Sequence, residues 1–121
     1  MVKRTLPTNP RVRRLIRLLR KTSNKYHAKI WKAIAEALCI PSRKRIVINL
    51  SKIDKLTKEG ECVVVAGKVL GFGNLSKKVD IAALSFSKTA KSKIIKSGGR
   101  ALYIEELISI NPKGRNVKIL R

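Results

Sequence analysis

Cys62-Val63-Val64-Val65-Ala66-Gly67-Lys68-Val69-Leu70-Gly71-Phe72-Gly73 is the stretch from which the rest of the chain can be placed. Its first five residues are apolar at every position, the pattern of a strand buried on both faces. The three glycines among Gly67–Gly73 then admit a positive φ or a very close backbone approach, neither of which a side chain permits cheaply. The stretch therefore reads as a buried central strand over Cys62–Ala66 emptying into a glycine loop. Lys68, Phe72, Lys77 and Lys78 bring charge and one flat ring to that loop. A second apolar run, Ile81–Leu84, marks the next strand, over Val79–Phe86.

Outward toward the C-terminus, Ser87 is placed to cap a helix that buries Ala90, Ile94 and Ile95, exposes Lys88, Lys91, Lys93 and Lys96, and stops at Gly98-Gly99. Ala101–Ile104 reads as a strand, Glu105–Ile110 as a short helix, Asn111–Gly114 as a turn and Val117–Leu120 as a closing strand. Toward the N-terminus, Ile46–Ile48 reads as a strand. Ser51 caps a short helix with Ile53 and Leu56 inward. Strands thus alternate with helices from residue 46 onward, which defines an α/β architecture. Before it lies a helical, basic N-terminal part. Asn9 is an N-cap and Pro10 suits the first turn; Val12, Leu15, Ile16 and Leu19 form one apolar stripe. Polar Thr22–His27 breaks the period. A second helix, Ala28–Leu38, buries Ile30, Trp31, Ile34, Ala35 and Leu38, which makes Trp31 a core residue rather than a stacking platform. The linker between these helices reads as too long for a helix-turn-helix. We expect one domain over 1–121, with a basic helical part at 1–45 and an α/β core at 46–121.

Charge is the unusual property. Lys and Arg number 29 against 7 Asp and Glu, a net +22 that no fold requires and that opposes compaction. Residues 1–45 hold fourteen basic and one acidic residue, residues 46–73 four and three, and residues 74–121 eleven and three. A nearly neutral centre between two basic flanks calls for a polyanion, with nucleic acid first and an anionic membrane surface second. The first helix carries Arg11, Arg13, Arg14, Arg17, Arg20 and Lys21 without one acidic partner for i,i+4 pairing.

Catalytic and cofactor motifs are lacking. Gly71-Phe72-Gly73 begins like a dinucleotide fingerprint, but Ser76 stands at its third glycine and a strand follows where a helix is needed. No Gly-Lys-Ser/Thr forms a phosphate loop. Cys39, Cys62 and the lone His27 do not make a zinc set, and both cysteines read as small apolar residues of an intracellular protein. Glu105 and Glu106 read as surface charges, and Asp80 as a local partner of Lys78. No enzyme, no metal and no cofactor is expected. The N-terminus does not have the pattern of a secretory leader, and no run is long enough to span a membrane.

Gly67–Leu75, Val79, Phe86-Ser87-Lys88-Thr89-Ala90 and Gly98-Gly99 resemble the signature shared by bacterial large-subunit ribosomal protein fifteen and its archaeal and eukaryotic relative, ribosomal protein eighteen-e. Thr8-Asn9-Pro10-Arg11, the helix with Trp31, Pro41-Ser42-Arg43 and Val47–Ile53 resemble the eighteen-e branch, and the chain looks archaeal. The resemblance implies a structural constituent of the large ribosomal subunit, cytoplasmic on the ribosome, whose partners are ribosomal RNA and neighbouring ribosomal proteins. It also implies an irregular superhelix of strand-strand-helix turns. It names no functional side chains, so the RNA-binding residues rest on charge and position. They are Lys3 and Arg4 in the tail, the six cations of the first helix, and Arg43, Lys44 and Arg45 in the loop after Pro41. Lys68, Lys77 and Lys78 near the glycines and Lys88 and Lys91 of the later helix complete the set. A free-standing architectural protein on nucleic acid and a membrane-binding first helix are the competing readings.

Overall fold

The structure, a computed structural model, describes residues 9–40 and 44–120. Helices α1 (Pro10–Tyr26) and α2 (Lys29–Leu38) precede β1 (Ile46–Asn49), α3 (Leu50–Leu56), β2 (Cys62–Leu70), β3 (Asp80–Phe86), α4 (Lys88–Lys96), β4 (Ala101–Tyr103), α5 (Ile104–Ile110) and β5 (Val117–Leu120). All strand pairings are parallel, so every connection returns the chain to the same end of the sheet. The fold class is α/β. Its β2–β3–α4 segment is a strand-strand-helix turn of the kind the resemblance implies.

β2 is the axis of the sheet. Along one flank it pairs with β3, and β4 lies beyond β3. Its other flank is shared by two strands end to end: β5 pairs with Cys62–Val65 and β1 with Gly67–Leu70. At the handover the β2–β3 register slips between Val65 and Lys68, a bulge that places an extra residue in β2. Alternate side chains feed two cores. Val64, Ala66, Ala82, Leu84 and Leu102 pack with α1, α2 and α5, while Val63, Val65, Val69, Ile81 and Ala83 pack with α3 and α4. The central strand is covered on both faces because helices lie on both sides of the sheet.

Several expectations hold locally. The Asn9 side chain accepts from the Arg11 N–H at 2.9 Å and Ser87 Oγ from Ala90 N–H at 3.1 Å. Trp31 is fully buried in the helical core. Others are corrected. α1 does not stop at Thr22 but runs to Tyr26 and closes on His27 in the left-handed region (φ 54°). The polar residues after Leu19 break the stripe without breaking the helix, since Thr22 is buried with its hydroxyl donating to Leu18 O at 2.8 Å. Only His27 and Ala28 separate α1 from α2, so the linker is short and the two helices form a tight hairpin. Gly67 to Leu70 is strand, not loop, and the loop begins at Gly71. Asn49, not Ser51, stands at the N-cap of α3, without a side-chain cap, and Leu56 and Ile95 are exposed. Asp80 pairs with Arg100 (3.0 Å) rather than Lys78.

Candidate nucleic-acid interface

α1 divides its residues by face. Val12, Leu15, Ile16, Leu19 and Thr22 are buried, whereas Arg13, Arg14, Arg17, Arg20 and Lys21 are exposed on the outward side. The first turns of α1, α2, α3 and α4 contain no acidic residue. A helix N-terminus is the end where carboxylates stabilise and cations do not. Here Arg11, Lys29, Lys52 and Lys88 stand in those turns. Cations in those turns stand at the unfavourable end of the helix dipole.

Some of the expected cations are held by the protein itself. Arg11 donates Nε to Glu105 Oε2 at 2.9 Å and Nη2 to Oε1 at 3.1 Å, a fork-to-fork pair that ties α1 to α5. Its guanidinium also lies 5.0 Å from the centre of the Tyr103 ring, and the Lys91 ammonium lies 5.9 Å from the same ring. Glu106 is engaged too, accepting from Tyr103 N–H at 3.0 Å. The two acidic neighbours are therefore a tie and a cap. Lys77 donates to the Asp54 and Thr57 carbonyls at 2.6 and 2.7 Å, closing the C-terminal end of α3. The adjacent Asp54 carboxylate accepts from Ser76 N–H and Oγ. Those bonds, the backbone one first, hold it below the usual carboxylate range. Arg20 contacts Cys39 Sγ at 3.7 Å. Arg45 is half-buried, and its Nε has no partner among the described residues; desolvation lowers its pKa. Lys44, Lys68, Lys78 and Lys88 are exposed. Lys3, Arg4 and Arg43 lie outside the described residues.

The fold brings a subset together at the carboxyl end of the sheet, the end where open α/β sheets bind ligands. Lys68, the exposed position of otherwise covered β2, lies in register with Ser85. Ser85 lines a concavity of about 440 Å³ with Arg11 and Tyr103. Lys91 reaches the same tyrosine. The first helix and α4 thus meet over one ring, although 80 residues separate Arg11 from Lys91 in the chain.

Sequence reasoning missed Lys93, which is half-buried rather than displayed. Its ammonium donates to Gly71 O at 2.8 Å and Gly73 O at 2.7 Å, clamping the turn after β2. No spacing rule reveals that contact, since the partners are backbone carbonyls on another element. Lys93→Met keeps the stem and removes the donors, and it is expected to cost about 2 kcal/mol in urea unfolding. Amide exchange near Gly71–Gly73 should accelerate, and unchanged exchange would show that the clamp is dispensable.

Among the described residues no three His, Cys, Asp or Glu side chains gather as a metal set, and no helix is long and apolar enough to cross a membrane. Cys39 is buried and Cys62 half-buried, both unpaired, with burial raising the Cys62 thiol pKa.

Comparison with known proteins covers nearly the whole chain. Residues 2–121 match the family model described as ribosomal protein 60S L18 and 50S L18e. A protein of Methanococcus maripaludis named large ribosomal subunit protein eL18 is 47% identical over 98% of this chain and 99% of its own length. Proteins of the same name from Methanoregula boonei and Methanothermobacter thermautotrophicus are 50% and 46% identical, over 94% and 99% of both chains respectively.

Proposed function

Because the chain belongs to the family of ribosomal proteins 60S L18 and 50S L18e, structural constituents of the large ribosomal subunit, we propose that it binds folded large-subunit ribosomal RNA through phosphate contacts. The outward face of α1 and the carboxyl end of the sheet supply the cations. One observation carries this reading: the exposed face of α1 presents a row of guanidinium and ammonium groups with no acidic residue anywhere in the helix. Scattered Arg and Lys on several elements suit the backbone of a folded RNA better than base readout by one helix. The pair of Arg11 with Glu105 orients the start of α1, so the array is held as a rigid surface. Neighbouring ribosomal proteins are the second class of partner, and the assembled ribosome is the place of action.

Each phosphate neutralised releases counterions, so binding must weaken steeply with salt. Replacing Arg14, Arg17 and Lys21 together by Ala removes three outward charges and leaves the buried stripe intact. Filter binding to protein-free large-subunit ribosomal RNA should show a log–log salt slope shallower by about 2. An unchanged slope would take α1 out of the interface.

A further inference from the structure

Among the described residues, Phe72 is the most exposed large apolar side chain, at 74%. Its exposure is not slack in the chain. The Phe72 carbonyl accepts from Ser51 N–H at 3.1 Å, and both flanking carbonyls are held by Lys93. The neighbouring glycines are wedged against the first turns of two helices. A Cβ on Gly71 would stand 2.7 Å from Thr89 Cβ, and one on Gly73, whose φ is +88°, would stand 2.5 Å from Ser51 Cβ. The backbone is gripped on both sides while the ring is held out in water. Among the described residues no ring or cation lies against it.

Beside the ring opens a concavity of about 550 Å³, lined also by Asn74, Ser87, Thr89 and Lys93. These surroundings are polar, and exposed lysines adjoin them in the chain: Lys52 follows Ser51, which meets Gly73, and Lys88 stands between Ser87 and Thr89. A protein partner would call for a continuous apolar patch with several anchors. A lone flat ring in a polar, cationic frame instead matches what an unpaired base requires: one π face to stack on and cations for its phosphates.

We propose that Phe72 is a stacking platform for an unpaired base of the bound RNA. This rests on the RNA-binding reading above and adds a specific contact to it. The test uses the full chain, protein-free large-subunit ribosomal RNA and three variants, Phe72→Ala, Phe72→Leu and Phe72→Trp. The ring contributes little to the core, so all three fold. Ala and Leu are expected to lower affinity about 5- to 100-fold with the salt slope unchanged, and Trp to restore it. The introduced indole should also be quenched on RNA addition, above the constant signal of buried Trp31.

Native affinity in Phe72→Ala, alongside steep salt dependence of the native chain, would overturn the proposal and leave the RNA reading standing. So would native affinity in Phe72→Leu, because an aliphatic side chain inserts but does not stack. If Phe72→Ala binds bare RNA normally but fails to enter subunits reconstituted with the other ribosomal proteins, the ring's partner is a protein and stacking is refuted. Failure of the native chain to bind RNA would remove both.

Discussion

Gly67→Ala is expected to destabilise the protein by about 3 kcal/mol, a large share of what a domain of this size has to lose. A Cβ at this position would sit 1.9 Å from the carbonyl oxygen of Ile46, inside any allowed contact. The reason is topological. β5 ends and β1 begins on the same flank of β2, and Ile46 enters the sheet paired with Gly67 at the bulge. Backbone meets backbone there without a side chain between. Alanine must either push β1 off the edge or shift the bulge, and each loses ladder bonds and the packing of Ile48. Gly60→Ala is the control. Gly60 has a positive φ (82°) but open space around it, so that substitution is expected to cost only about 1 kcal/mol through strain. Urea titrations of both variants decide the point. Equal midpoints would mean that the close approach at Gly67 is not a constraint.

Trp31→Ala is expected to cost about 3–5 kcal/mol, the range for removing a fully buried aromatic side chain. Trp31 lies between the helical hairpin and the loop after α5. Its Nε1–H donates to Pro112 O at 2.8 Å, and the ring passes 3.6 Å from where a Cβ on Gly114 would stand. Phe in its place keeps most of the apolar contact but leaves the Pro112 carbonyl without its donor, for an expected loss of about 1–3 kcal/mol. Far-UV circular dichroism during denaturation measures both. If Trp31→Phe proves as costly as Trp31→Ala, shape at this site outweighs the hydrogen bond. If both are mild, the hairpin does not depend on this anchor. Since α1 carries the proposed RNA-binding face, Trp31→Ala should also reduce RNA affinity without removing a charge.

Much of the secondary structure was legible because single residues announce it. Asn9-Pro10 opens α1, Ser87 opens α4, Gly98-Gly99 closes it, and the unbroken apolar run of β2 requires cover on both faces. The misreadings share one cause. Periodicity reports only the face that is buried, so α1 looked finished where its stripe ended, although Thr22–Tyr26 continue the helix and satisfy their own backbone. Likewise glycine in Gly67–Leu70 suggested a loop, when it marks a strand that another strand approaches too closely for a side chain. Of the candidate cations, exposed positions on α1 could be sorted from the stripe alone. Lys77 and Arg11 could not, and neither could the role of Lys93, which was not among the candidates, because their partners lie on other elements and for the two lysines are backbone carbonyls.

The amino-acid sequence by itself determined the α/β class, the buried strand at the centre, the cationic faces of α1 and α4, and the family signature. Each depends on residues close together in the chain, where helix and strand periods translate directly into exposure. Only the tertiary structure decided that β1 and β5 share one flank of β2 and that Arg11 and Lys91 meet over Tyr103. It also decided that some lysines serve as clamps while others face outward. Those outcomes depend on which distant groups come into contact, and a long basic side chain has the same appearance in sequence whether its ammonium meets water, a carbonyl or a phosphate. For Gly71-Phe72-Gly73 the division is sharpest: the letters mark a turn, but only the tertiary structure shows Ser51 and Lys93 gripping the backbone that carries an exposed phenyl ring.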